Sequence, residues 1–174
     1  MLVASCWGSA AVSASDDVLQ RLAPDLLGSE LTGVFEDAEL TCRQDRADLS
    51  RCVATGSARW TLGGVSLNAV EAVFADHQLA RVAVYFPEAG FADVLPFLSA
   101  CFGAGEDWSV TLRAGMAGQF SDQIRLWETD RFVLVAQQYD GKIDRSSVIY
   151  GTTRAMAPLV QRIKSSPRGG LRDL

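Results

Sequence analysis

The sequence has little of what metal-dependent enzymes, acid–base enzymes and membrane proteins need. Its single histidine is His77, and no run of about eighteen apolar residues occurs that could span a bilayer. Gly-x-Ser-x-Gly, His-Glu-x-x-His, phosphate-loop and dinucleotide-binding patterns are all absent. We therefore expect a protein that is not an enzyme, with no cofactor, no metal site and no transmembrane segment.

Charge argues against nucleic acid as a partner, because the formal net charge is −5 and the pI about 4.8. The charge is unevenly placed. Residues 16–40 carry seven acids and one arginine, whereas the chain from Arg154 onward carries five bases and one acid. We interpret the two stretches as a solvated acidic face and a basic tail, with a partner-binding end as the alternative.

The first fourteen residues are uncharged, rich in small side chains, and end in Val12-Ser13-Ala14. Small residues at these positions favour signal-peptidase cleavage after Ala14, although the basic n-region is missing, as it would be if translation started upstream of Met1. The predicted location is therefore the periplasm or the outside of the cell. As an alternative, the stretch ending at Cys6 resembles a lipobox, which would make the protein a lipoprotein anchored through that cysteine.

The four cysteines fall into different settings. Cys42 and Cys52 bracket a polar segment between two apolar ones, and in an oxidising compartment we expect them to form a disulfide. Cys101 lies on the apolar face of a predicted helix, so we expect a packed, unreactive thiol. The alternative is a thiol-dependent enzyme in which His77 activates Cys101.

The apolar patterns predict one domain over residues 15–164, followed by a flexible basic tail over residues 165–174. Alternating apolar positions predict hairpins and a meander, while helical spacing predicts helices near residues 91–102, ending at Gly103, and 154–163. Helices are too few for a parallel sheet. The predicted fold class is therefore α+β, an antiparallel sheet with one or two helices packed on one face.

Aromatic residues in the predicted strands are the main indication of function. Strand parity suggests that Tyr85 and Trp127, with Tyr139 beside them, form an exposed aromatic face that binds a partner. The alternative is that these side chains complete a second small core. The exposed face is assigned from the alternation of side chains along each strand, and a single β-bulge would reverse that assignment.

The central third of the chain resembles small bacterial envelope proteins in which a hairpin leads into a helix that ends in an aromatic–glycine pair. The pattern comprises Gly64, Phe74, Leu79, Val82, Phe91, Leu95, Leu98, Phe102, Gly103 and Trp108. This resemblance concerns core positions and implies an α+β fold without assigning any functional residue. We expect an exported protein-binding module such as an inhibitor, an immunity factor or an envelope-assembly accessory. The alternative is a carrier of a lipid or small apolar ligand.

Overall fold

The computed structural model describes residues 41–55, 60–113, 118–166 and 171–173. The predicted leader and the acidic stretch of residues 16–40 lie outside these ranges. Within the described ranges, no helix has the length and apolar character needed to cross a membrane.

Thirteen strands and two helices make up the described part of the chain, and a short 3-10 turn over Glu88–Gly90 precedes the first helix. The strands are β1 (Thr41–Arg46), β2 (Leu49–Thr55), β3 (Thr61–Leu62), β4 (Val65–Ser66), β5 (Ala69–Ala75), β6 (Gln78–Pro87), β7 (Glu106–Asp107), β8 (Val110–Arg113), β9 (Gln119–Asp122), β10 (Ile124–Glu128), β11 (Val133–Gln137), β12 (Arg145–Gly151) and β13 (Leu171–Asp173). The helices are α1 (Phe91–Phe102) and α2 (Thr153–Ser165).

Eight strands form one sheet in the order β1-β2-β5-β6-β12-β11-β10-β7, and every neighbouring pair is antiparallel. The predicted α+β fold class is thereby confirmed. Strand β12 pairs with β6 although the segment containing α1 and β7 to β11 separates them in sequence. This long-range pairing places the end of β6 beside the β11–β12 turn, where the candidate site lies.

The hairpin between β5 and β6 shows how the sequence sets the local structure. Asp76 and His77 at its turn both have positive φ angles, of 50° and 64°. Two consecutive residues with positive φ form a type I′ turn, whose twist matches the right-handed twist of the two strands that it joins. Asp and His are among the non-glycine residues that adopt positive φ most readily. The predicted hairpin is confirmed, and His77 is exposed at its tip.

Helix α1 buries Phe91, Val94 and Leu98, which recur at helical spacing. It ends where predicted, because Gly103 adopts a φ of 84° and donates its backbone N–H to the Ser99 carbonyl. This confirms the predicted helix over residues 91–102.

Thr152 caps the N-terminus of helix α2, because its side-chain hydroxyl accepts a hydrogen bond of 3.2 Å from the Ala155 N–H. It buries Met156 and Ile163. Pro158 is the sixth helical residue, within the second turn.

The two helices pack on opposite faces of the sheet, which corrects the expectation of a single covered face. The first core, on the α1 side, includes Leu134 and Ala136 of β11, whereas the second core, on the α2 side, includes Val133 and Val135. Since successive residues of a strand point to opposite faces, the two cores lie on the two sides of the sheet.

A three-stranded sheet in the order β13-β8-β9 contributes to the second core through Val110 and Leu112 of β8. Leu171–Asp173 pair in parallel with β8. The predicted flexible tail of residues 165–174 is therefore wrong for these three residues, because backbone pairing with β8 holds them in a strand.

The Cys42–Cys52 disulfide is confirmed, and it joins residues that are directly opposite each other on β1 and β2, with their Cα atoms 4.0 Å apart. Cys101 is also disulfide-bonded. The expected free thiol at Cys101 is therefore wrong. Helical spacing indicated which face the residue occupies but gave no information about a partner distant in sequence. Disulfides of this kind fit an oxidising compartment.

Candidate functional site

Trp127 does not belong to an exposed face. Its side chain is 5% exposed in the first core, and its indole N–H donates a 2.8 Å hydrogen bond to the Gly103 carbonyl. The prediction of exposure is wrong because Trp127 points to the α1 side of β10, where the loop after the helix covers the ring. Tyr85 points to the opposite face, so these two predicted site residues are not brought together.

Tyr85 is half-buried on the second face of the sheet, with the guanidinium of Arg145 4.9 Å from the centre of its ring. Arg145 is held in place by hydrogen bonds of 2.6 and 3.2 Å to the Asp140 carbonyl. Burial raises the pKa of the Tyr85 phenol, and the carboxylates of Glu71 and Asp140 raise it further. Tyr85 therefore keeps its proton at physiological pH.

Ion pairs connect the strands beside Tyr85. The Glu71 carboxylate on β5 accepts hydrogen bonds from Arg81 on β6 at 3.0 Å and from Arg51 on β2 at 3.4 Å. We call the surface formed by Arg51, Glu71, Arg81, Tyr85 and Arg145 the arginine face. Arg81 and Tyr85 are four residues apart on β6 and so share a face, but the cross-strand register that brings Glu71 between two arginines is visible only in the structure.

Tyr139 lies at the other side of the β11–β12 turn, where its ring packs edge-on against Phe120 at 4.9 Å. Its backbone N–H donates to the buried carboxylate of Asp122 at 2.9 Å. Burial raises the pKa of the Tyr139 phenol, and the nearby carboxylates of Glu88 and Asp122 add to this effect. Tyr139 is thus fixed in position, half-exposed and protonated.

A cleft of about 280 Å³ lies next to Tyr139, where the 3-10 turn leads into helix α1. We call it the helix-start cleft. Its lining residues are Glu88, Ala89, Phe91, Ala92, Leu95, Pro96, Gln123 and Gln138. One wall is apolar and comes from the first turns of α1, and the other carries one carboxylate and two carboxamides.

The polar wall is held together by contacts between distant parts of the chain. The Gln138 amide donates to the Glu88 carboxylate at 2.5 Å, and it lies 3.4 Å from the Tyr139 hydroxyl. The Gln138 backbone N–H donates to the Gln123 carbonyl at 3.0 Å. None of these polar residues was expected from the sequence, because the Glu88–Gln138 contact joins positions that share no local pattern.

The two candidate catalytic residues, His77 and Cys101, do not form a nucleophile–base pair. His77 is exposed at the β5–β6 turn, and Cys101 has no free thiol with which to act as a nucleophile. In the described ranges no three histidine, cysteine or acidic side chains gather in a way that could hold a metal ion. A cysteine in a disulfide has no thiolate, so in this structure Cys101 cannot act as a nucleophile activated by His77.

The comparisons with known proteins give no relative. No protein-family model, curated protein or solved structure matches this chain.

Proposed function

We propose that this protein is a non-enzymatic binding module of the periplasm and that the helix-start cleft receives one side chain of a partner protein. The observation that carries the proposal is the cleft itself, which joins an apolar wall to the Glu88 carboxylate. Its volume of about 280 Å³ is just below the usual range of small-molecule sites, about 300–1,000 Å³. That size supports a single anchoring side chain over a lipid or other apolar ligand.

The chemistry of the walls favours a basic anchor. An arginine or lysine would lay its alkyl stem on Leu95 and Pro96 and bring its charge to Glu88. The carboxamides of Gln123 and Gln138 offer further acceptors, and Tyr139 stands next to the cleft. Tyrosine is enriched among the residues that dominate binding energy at interfaces. A net charge of −5 also favours a basic partner surface.

The disulfides support the proposed compartment. Cys42, Cys52 and Cys101 are all oxidised, and stable disulfides are rare in the reducing cytosol. Together with the signal-like N-terminal sequence and the resemblance to bacterial envelope proteins, this supports a periplasmic location. The partner is then a periplasmic or envelope protein with a basic side chain at its contact surface.

Two variants of the same helix test this function. Ala92 lines the cleft and is exposed, so Ala92→Trp should fill the cleft with little effect on the core. Ala100 is also exposed on α1 but does not line the cleft, which makes Ala100→Trp the matched control. Glu88→Gln removes the charge and keeps the shape.

The measurement is affinity capture from periplasmic extract with quantitative mass spectrometry, followed by titration of the captured protein. We expect one protein whose affinity falls about thirtyfold with Ala92→Trp, equivalent to about 2 kcal/mol, and also falls with Glu88→Gln. Its affinity for Ala100→Trp should equal that for the wild type. Capture that is insensitive to Ala92→Trp, or no captured protein at all, would contradict the proposal.

A further inference from the structure

The arginine face is a second surface, separate from the helix-start cleft. Arg51, Arg81 and Arg145 keep 35%, 31% and 35% of their side-chain surface exposed. Among the described residues on this side of the sheet, four arginines meet only three carboxylates in ion pairs. The arginines are Arg43, Arg51, Arg81 and Arg145, and the carboxylates are Asp45, Glu71 and Asp140. The surface therefore carries excess positive charge on a chain whose net charge is negative.

Small and apolar residues between these arginines are buried without belonging to either described core. Val73 is 8% exposed and Ala83 only 1%, yet neither belongs to the core of α1 or to that of α2. Ser147, which is opposite Tyr85 across the β6–β12 pair, is fully buried, and its hydroxyl has no hydrogen-bond partner within the described part of the chain. Because these side chains are buried but belong to neither core, we infer that a further part of the chain packs over them.

The chain itself contains a complementary segment. Residues 16–40 hold seven acids and one arginine, together with apolar side chains such as Val18, Leu22 and Leu26. This segment leads directly into Thr41, the first residue of the edge strand β1, which pairs with the strand that carries Arg51. At more than 3 Å per extended residue, twenty-five residues are ample to reach Arg145 from this edge.

We propose that the acidic segment, residues 16–40, packs on the arginine face. Its carboxylates pair with the arginines that Glu71 leaves partly uncompensated, and its apolar side chains cover Val73 and Ala83. The interaction is independent of the helix-start cleft, so the segment and a partner protein do not compete for one surface.

Hydrogen exchange measured by mass spectrometry on the full chain tests the proposal. In the wild type, the amides of residues 16–40 should exchange at least about tenfold more slowly than those of an unstructured peptide of the same sequence. The double variant Glu36→Gln/Asp37→Asn neutralises two acids of the segment and leaves every described residue unchanged. We expect this variant to exchange several-fold faster in the segment, because it loses ion pairs between the segment and the arginine face. Added salt should have a similar effect, since it screens such pairs.

The matched control is Asp130→Asn/Asp144→Asn, which neutralises two exposed acids outside the segment. Its exchange in residues 16–40 should equal that of the wild type. A reciprocal variant, Arg145→Gln, should speed exchange in the same residues without unfolding the sheet. The proposal is overturned if the wild-type segment exchanges at the unstructured rate. It is also overturned if the segment is protected but indifferent to both Glu36→Gln/Asp37→Asn and Arg145→Gln.

Discussion

The indole N–H of Trp127 donates a hydrogen bond of 2.8 Å to the carbonyl of Gly103, the residue at which helix α1 ends. The contact joins strand β10 to the loop after the helix and leaves the ring 5% exposed. The same loop carries Gly105, where a Cβ atom would lie 2.6 Å from Cε2 of the indole. Trp127 therefore closes the first core from the side of the loop instead of offering a surface to a partner.

We expect Trp127→Ala to lower the free energy of unfolding by about 3–5 kcal/mol, since it leaves a cavity in the first core and removes the hydrogen bond to the Gly103 carbonyl. Trp127→Phe should cost less, because the ring is largely kept and only the hydrogen bond and part of the volume are lost. Urea denaturation followed by circular dichroism measures both variants. A Trp127→Ala variant as stable as the wild type would contradict the burial of this side chain.

Gly105→Ala should destabilise the protein more than the same change at a glycine with free space around it. Gly105 has a φ of 68°, and an added methyl group meets the Trp127 ring, so backbone strain and a clash add up. Gly64 has a φ of 85°, and no described atom lies within 4 Å of the position that its methyl group would take, which makes Gly64→Ala the control. The control should cost about 1–2 kcal/mol from backbone strain alone.

The comparison needs only the difference between the two midpoints of thermal unfolding. Equal losses at Gly105 and Gly64 would show that the indole does not pack against this loop. A larger loss at Gly105 that disappears in the Trp127→Ala background would locate the clash at the ring.

The disulfide at Cys101 leads to a prediction about the mature chain. Cys42 and Cys52 pair with each other, Cys101 is disulfide-bonded, and Cys6 is the one further cysteine of the sequence, so we predict a Cys6–Cys101 disulfide. When the wild-type protein is unfolded without reductant, we expect to find no free thiol. The Cys101→Ser variant treated in the same way should show one free thiol. Thiol titration together with non-reducing peptide mapping provides the measurement.

This prediction opposes two expectations from the sequence. Cleavage after Ala14 would remove Cys6 from the mature chain, and acylation of Cys6 would consume its thiol. Either event would leave Cys101 as a single titratable thiol in protein purified from the native host. A linked Cys6–Cys101 peptide would exclude both events for the molecules that contain it.

The two tyrosines give the protein a defined response to alkali. The pKa values of Tyr85 and Tyr139 are raised in the folded state, mainly by burial. Above about pH 10, unfolded tyrosines lose protons that the folded chain still binds, so stability falls as the pH rises. Tyr85→Phe removes one of these groups and should make the fall shallower between about pH 9 and pH 11.

Urea titrations at several pH values measure this slope, and ultraviolet absorbance of the phenolate follows the ionisation directly. At neutral pH the raised pKa values contribute no pH dependence, because both states then carry protonated phenols. If Tyr85→Phe and the wild type lose stability in parallel up to pH 11, burial of the phenol is not the cause.

Local sequence determined several elements correctly. Helical spacing and Gly103 defined helix α1, alternation and the Asp76–His77 turn defined the β5–β6 hairpin, and a polar segment between Cys42 and Cys52 indicated their disulfide. Each of these features depends on residues close together in the chain, so the pattern contains the information needed. The α+β class followed from counting the same elements.

Tertiary structure decided which faces are covered and which residues meet. Parity showed that Trp127 and its neighbours alternate, but the face that α1 covers depends on the path of the chain between strands. The Glu88–Gln138 contact and the β6–β12 pairing likewise join residues far apart in sequence. Such contacts arise because burial of apolar surface selects one packing of the elements, and that selection is a property of the whole chain.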